Sequence, residues 1–257
     1  MDRLENLKNI IMYLMADNRV SHRIPSTLEE RQRMMRALMN VWEPSPISED
    51  FLKMQDAELQ IQREEKGIVE ISDITPQTSD ILLWQGDITR LKVEAIVNAA
   101  NAQALGCWAP LHNCIDNCIH SAAGIQLRKE CADKMQGRLL ATGDAFITKG
   151  YNLPAKHVIH TVGPIISDGI PTKEQEEQLA ACYRSCLDLA EKNGLESIAF
   201  CCISTGVFHF PNQRAAEIAI ETVKSYPRHS LKTIVFNVFL DKDHDIYEQL
   251  LGAYPMA

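Results

Sequence analysis

LWQGDITRLKVEAIVNAAN, residues 83–101, holds two short apolar runs separated by a loop rich in polar residues. Ile81-Leu82-Leu83-Trp84 reads as one strand and Ala95-Ile96-Val97 as the next. Neither run alternates apolar with polar side chains, so each must be covered on both faces. Further along, Ala145-Phe146-Ile147-Thr148, His157-Val158-Ile159-His160, Ile198-Ala199-Phe200-Cys201-Cys202 and Thr233 to Phe239 repeat the pattern. Helical periodicity falls near 115–136, 173–193, 212–225 and 243–252, and Lys192-Asn193-Gly194 supplies a glycine stop. Strands alternating with helices predict an α/β fold, a central sheet with helices on both sides.

Residues 1–66 have a different character. Leu4, Leu7, Ile10, Ile11, Leu14 and Met15 recur at the spacing of one helix face. Ser26-Thr27-Leu28-Glu29-Glu30 reads as a capped start for a second helix, whose stripe is Met34, Met35, Leu38 and Met39. Pro44 and Pro46 break the pattern, and a third helix is expected from about 48 to 65. The chain therefore divides into a helical N-terminal extension, 1–66, and an α/β domain, 67–257. An amphipathic helix must bury its apolar face, so the extension is expected to pack on that domain.

The 257 residues carry a formal net charge of −8 and no dense Lys/Arg run. Duplex binding, which leans on a basic patch, is not expected. A local anion site remains open, because backbone amides at helix starts bind phosphate without net positive charge. The first residues lack the features of a secretion signal, and no apolar run reaches the ~18 residues of a membrane span. Eight cysteines in that context suggest reduced thiols or metal ligands, in the cytoplasm.

Ligands of such folds sit where strands lead into helices. Gln85-Gly86-Asp87-Ile88-Thr89 is one such loop. Asp87 there either accepts from an amine or ribose hydroxyl or simply caps a helix. Ser204-Thr205-Gly206-Val207-Phe208 follows another strand, as a phosphate cradle would, and as many ordinary loops do. Asn98-Ala99-Ala100-Asn101 closes a third strand, and Asn101 suits either a sugar hydroxyl or an Asn-stabilised turn.

Gly106-Cys107-Trp108-Ala109-Pro110-Leu111-His112-Asn113-Cys114 places two thiols and an imidazole within eight residues. Those ligands suit zinc, and three protein ligands leave a fourth position open, as at catalytic sites. The bland alternative is two buried cysteines and a loop histidine. Asp116 follows near a helix start, placed either as a base or as a favourable charge there. Cys118, Cys131, Cys182, Cys186, Cys201, Cys202 and His160 read as core, and His120 as a helix-face residue against the sheet.

Taken together, LWQGDITRLKVEAIVNAAN (83–101), CIDNCIHSAAG (114–124), ATGDAFITKGYNLPAKHVIHTVGP (141–164) and ISTGVFHFP (203–211) resemble the macrodomain family. The resemblance implies a three-layer α/β/α fold around a mixed six-stranded sheet, with ADP-ribose as ligand. It implies that Asp87, beside the backbone of Ile88, holds adenine and that Phe239 flanks it. Asn101 would face the distal ribose, and Ser204, Thr205, Gly206, Val207 and Phe208 would wrap the diphosphate, to which the helix start at Cys114, Ile115 and Asp116 is expected to add backbone N–H groups. Where common members carry a glycine-rich run, this chain has GCWAPLHNCIDN (106–117), so it resembles the zinc-containing microbial branch. That branch implies Zn2+ on Cys107, His112 and Cys114, a helical extension, and hydrolysis of ADP-ribose from mono-ADP-ribosylated protein. Some members stand beside a sirtuin-type transferase and a lipoylated carrier protein.

The expected reaction is hydrolysis of the ester between ADP-ribose and Asp or Glu, with Asn101 orienting the ribose and Asp116 steering or deprotonating water. A bound zinc would polarise a ribose hydroxyl or the departing oxygen, or activate water. Rival expectations are a reader that binds ADP-ribose without turnover, an O-acetyl-ADP-ribose deacetylase, and a structural metal loop beside an unrelated nucleotide site.

Overall fold

The computed structural model describes residues 2–77 and 80–252. The chain opens with α1 (Arg3–Asp17), α2 (Leu28–Asn40) and α3 (Glu49–Lys66). There follow β1 (Val69–Glu70), β2 (Ile81–Gln85), β3 (Leu91–Lys92), β4 (Ala95–Ala99), α4 (Ile115–Ala123) and α5 (Ile125–Met135). The rest is β5 (Ala145–Lys149), β6 (His157–Thr161), α6 (Lys173–Lys192), β7 (Ser197–Phe200), α7 (Asn212–Ser225), β8 (Thr233–Val238) and α8 (Asp241–Gly252).

The main sheet runs β2-β8-β7-β4-β6-β5, with every neighbouring pair parallel except the edge pair β5–β6. Ala95 of β4 lies opposite His157 on one side and Ile198 on the other. This is the expected mixed six-stranded sheet between helical layers. α6, α7 and α8 pack side by side, while α4 and α5 pack together apart from them. Ile96, Val97, Ile198, Ala199, Ile234 and Val235 are fully buried, which is why their strands show no alternation. β1 and β3 form a separate two-residue parallel ladder that sequence periodicity could not reveal.

One expectation is corrected. The helix read near 115–136 is two helices, broken at Gly124 with φ +101°. A Cβ there would lie 2.7 Å from Gln55 Nε2 of the extension. Gln55 Oε1 accepts from the Ile125 amide at 2.9 Å, so the extension satisfies a donor at the start of α5.

The extension has its own apolar core of Leu7, Ile10, Ile11, Leu14, Met35, Leu38, Met39, Trp42, Phe51 and Leu59, closed by Ile125 of α5. The methionine stripe of α2 thus packs inward. Glu58, buried at its centre, accepts from Arg3, Gln32 and Gln62, which offsets the cost of burying a carboxylate. Among the described residues no helix is long and apolar enough to cross a membrane.

Candidate active site

The carboxyl ends of β2, β8, β7 and β4 point to one edge of the sheet, and the loops singled out in the sequence leave from there. After β2, Asp87 caps a short 3-10 turn, Ile88–Arg90, accepting from the Thr89 amide at 3.0 Å and its hydroxyl at 2.6 Å. Its second oxygen lies 3.3 Å from Lys66 Nζ, at the end of α3. Burial pushes the Asp87 carboxyl up, but Lys66 and Thr89 outweigh it and the net shift is downward. Asp87 therefore stays an anion, able to accept from an exocyclic amine. The capping role is observed, and it leaves the second oxygen, beside Lys66, free to accept. Phe239, directly after β8, is 72% exposed, a ring with no protein cover.

The loop after β7 is shaped by close approach. Ser204 has φ +65° and is buried, and a Cβ on Gly163 would lie 1.9 Å from its Oγ. Phe208 O accepts from the Ile166 amide at 2.8 Å, and Ser204 O from Phe210 at 3.0 Å. Among the described residues, no protein acceptor is found for the amides of Gly206, Val207 and Phe208, nor for Ile115 and Asp116 at the start of α4. Two sets of free N–H groups thus suit an anionic group at the strand ends. Gly163→Ala should force Ser204 aside. Overpacking of about 1–3 kcal/mol, at roughly 1.4 kcal/mol per tenfold, predicts a loss of about tenfold or more in ADP-ribose affinity by calorimetry.

At the end of β4, Asn98, Asn101 and Asp116 form one network. Asn98 Nδ2 donates to Asp116 Oδ1 at 2.8 Å and also reaches His160 Nδ1 at 3.1 Å. Asn101 Nδ2 lies 3.3 Å from Asp116 Oδ2 and donates to Gly106 O at 3.1 Å, while its Oδ1 accepts from Gln103 and Ala104. Asp116 is 4% exposed, and burial pushes its carboxyl up to about 6, against the pull of Asn98 and Arg128. Sequence reasoning left Asn98 as a strand end. A polar residue closing an apolar strand was the available signal.

The loop between β4 and α4 gathers Cys107, His112 and Cys114, with their donor atoms within 4.8 Å of one another. Cys107 Sγ and His112 Nδ1 are 3.6 Å apart. A tetrahedral ion with bonds of about 2.3 Å to sulfur and about 2.0 Å to nitrogen separates such a pair by roughly 3.5 Å. His112 is exposed and both thiols are half-buried, so the cluster opens to solvent. Burial pushes the Cys114 thiol up to about 12 despite the Asn117 amide, and Cys107 beside it adds to the rise. Two adjacent thiols become thiolates together most readily with a cation between them. The donor set and spacing fit a three-ligand metal site.

A second grouping, His120, Cys131 and His160, is buried beneath the first. His160 Nδ1 faces Asn98 and its Nε2 faces Thr148 Oγ1 at 3.0 Å, so both ring nitrogens are already engaged. This is a polar core network, as read for His160, and His120 is packed there too. Cys131, Cys182, Cys186 and Cys201 are buried as expected, whereas Cys118 and Cys202 are only partly so. A cavity of about 180 Å³ lies between the extension and α4, lined by Arg36, Arg63, Lys66 and Arg90. Each of these cations already has a protein partner, and the free amides lie elsewhere.

Residues 97–219 match the Macro domain family model. A protein of Treponema medium named protein-ADP-ribose hydrolase is 50% identical over 95% of this chain and 97% of its own. One of the same name from Staphylococcus aureus (strain MRSA252) is 46% identical over 97% of each chain. The crystal structure of a Trypanosoma brucei macrodomain in complex with ADP-ribose superposes with a TM-score of 0.65 at 31% identity, covering 89% of this chain and 97% of that one. The alignment with the two named relatives runs through the extension as well as the sheet. On that match and the loops at the strand ends, the chain belongs to the macrodomain family.

Proposed function

We propose that this protein hydrolyses the bond joining ADP-ribose to a modified protein, an ester to Asp or Glu, with the help of a zinc ion on Cys107, His112 and Cys114. The observation that carries the reading is a juxtaposition at one sheet edge. Two sets of free backbone amides, suited to a diphosphate, lie at the strand ends that also carry an open Cys/His cluster and the Asn101–Asp116 pair. Relatives named protein-ADP-ribose hydrolase match over nearly the whole chain, which supports the activity. A pure reader would gain little from an open Lewis-acid position.

In this reading Asp87 and the Ile88 backbone take adenine, with Phe239 against its face. The amides of Ser204, Gly206, Val207 and Phe208 and of Ile115 and Asp116 take the diphosphate, and Thr205 braces their loop by donating from its hydroxyl to Cys202 O at 3.0 Å. That brings the distal ribose to Asn101. Zinc, when bound, supplies Lewis acidity toward a ribose hydroxyl, the departing oxygen or a water. Asn101 orients the ribose, and water replaces the departing carboxylate. Asp116 is too enclosed to meet bulk water, and both its oxygens face amide groups. Of its two expected roles, steering is favoured over direct proton removal. A lipoylated carrier protein is the proposed class of modified substrate, and reduced cysteines support a cytoplasmic setting.

The test is to offer two substrates, one protein ADP-ribosylated on carboxylates and one on serine hydroxyls, and to measure released ADP-ribose. Release from the first and little from the second is expected. Binding of ADP-ribose without release from either would favour a reader. Turnover confined to O-acetyl-ADP-ribose would move the substrate to a small metabolite.

A further inference from the structure

The Cys107–Cys114 loop is gripped by residues that neither bind ADP-ribose in the reading above nor ligate metal. Arg36 of α2 donates through Nη2 to His112 O at 2.8 Å and to Asn117 Oδ1 at 2.9 Å. Asn40, the last residue of α2 and fully buried, accepts from the Leu111 amide through Oδ1 at 2.9 Å and donates to Ser121 Oγ at 3.0 Å. Arg128 of α5 donates to the carbonyls of Asn40 at 2.8 Å, Trp42 at 3.0 Å and Cys107 at 3.2 Å, and its guanidinium stacks 4.1 Å over the Trp108 ring. Asn117 Nδ2 completes the set by donating to Ala109 O at 2.9 Å. The loop backbone is otherwise unfavourable. Leu111 sits at φ +59°, and only surrounding contacts keep a non-glycine residue in that region.

We propose that the N-terminal extension is a working part of the active site. Arg36 and Asn40 are positioning residues that hold the His112 segment in ligating geometry before metal arrives. Hydrogen bonds to groups flanking a ligand normally tune metal affinity by about 10–100-fold. Here those partners come from a helix some seventy residues earlier in the chain. The inference rests on the metal reading, but preformation of the loop does not need the ion, and its test has an arm that does not either.

The experiment uses the full chain and the variants Asn40→Leu, Asn40→Asp, Arg36→Met and Arg36→Lys. Zinc affinity is read by competition with a chromophoric chelator, the ligand field by the absorption of the cobalt-substituted proteins, and ADP-ribose affinity by calorimetry. Exchange of the Leu111 amide is followed by NMR in metal-free protein. Asn40→Leu and Arg36→Met should raise the zinc Kd roughly 10–100-fold and alter the cobalt spectrum, with ADP-ribose affinity changed less than about threefold. Asn40→Asp keeps the acceptor for Leu111 and should retain near-normal zinc affinity, as should Arg36→Lys in part. In metal-free Asn40→Leu the Leu111 amide should exchange at least about tenfold faster. Wild-type zinc Kd and exchange in a folded Asn40→Leu variant overturn the proposal. So does equal loss of metal and ADP-ribose affinity in all four variants, which marks a general structural role. If Asn40→Leu does not fold, Arg36→Met, whose side chain is part-exposed, decides by the same readings. Should wild type bind no zinc while the exchange difference holds, the metal reading fails and the positioning role stands.

Discussion

His112→Ala should abolish turnover while leaving ADP-ribose bound. The imidazole is exposed, contributes nothing to either apolar core, and faces Cys107 Sγ at 3.6 Å. In the proposed zinc site its loss would remove one of three ligands. A two-thiol site holds zinc far more weakly, and at ordinary zinc levels the variant should purify with little metal. Lewis-acid stabilisation is worth several kcal/mol, and each 1.4 kcal/mol is about tenfold in rate. A fall of at least about 10²–10³-fold in kcat is therefore expected. Because His112 supplies no amide to the anion site and the Gly206–Phe208 amides lie on a separate loop, the ADP-ribose Kd should change by less than about tenfold, and the melting temperature by only a few degrees. If the cluster were structural, the same variant would instead melt early and lose ligand binding together with activity.

Asp116→Ala should be the second severe variant, for a different reason. The carboxylate has no solvent-facing route in the ligand-free enzyme, but it holds Asn98 and Asn101. Removing it takes an acceptor from the buried Asn98 amide and one of two acceptors from Asn101 Nδ2, at about 1–3 kcal/mol, and leaves Asn101 tied only to the 103–106 loop. Misplacement of an orienting group by ~1 Å costs on the order of 10²-fold in rate, so kcat should fall by about that much. Asn101→Ala should cost about the same, and the double variant Asp116→Ala/Asn101→Ala little more than either alone, because the two act as one unit. Additive losses would mean that Asp116 acts on water directly. Asp116→Asn should not rescue: its amide keeps the shape but turns an N–H toward at least one of the donors it replaced.

The sheet was legible because its strands are buried on both faces. Ile96-Val97, Ile198-Ala199 and Ile234-Val235 must be continuously apolar, and the helices between them must recur. The strand-end loops were legible for a related reason: Asp87, Asn101 and Ser204 each lie a few residues past the end of a strand, where the backbone has left the ladder. The Cys/His cluster was visible because its members fall within eight consecutive residues. What stayed hidden depends on distance along the chain. Nothing in CIDNCIHSAAG says that Asn98 closes on Asp116, nor that Arg36 reaches His112 and Asn117. The break at Gly124 was missed because the apolar period on either side is helical, and only the Gln55 contact and the positive φ reveal the turn. The extension was legible as helices with an apolar stripe but not as a brace. Its polar contacts to the Cys107–Cys114 loop rest on single residues, Arg36 and Asn40, which no periodic pattern marks.

The central claim is that ADP-ribose release depends on the Cys107–His112–Cys114 cluster holding zinc. The most direct measurement is release of ADP-ribose from a carboxylate-linked ADP-ribosylated protein by native, chelator-treated and zinc-restored enzyme, with metal content determined on each. The account predicts activity that falls with the zinc, returns when zinc is added back, and is accompanied by unchanged ADP-ribose binding throughout. Full activity in metal-free enzyme, or no release from the fully zinc-loaded protein, would contradict it.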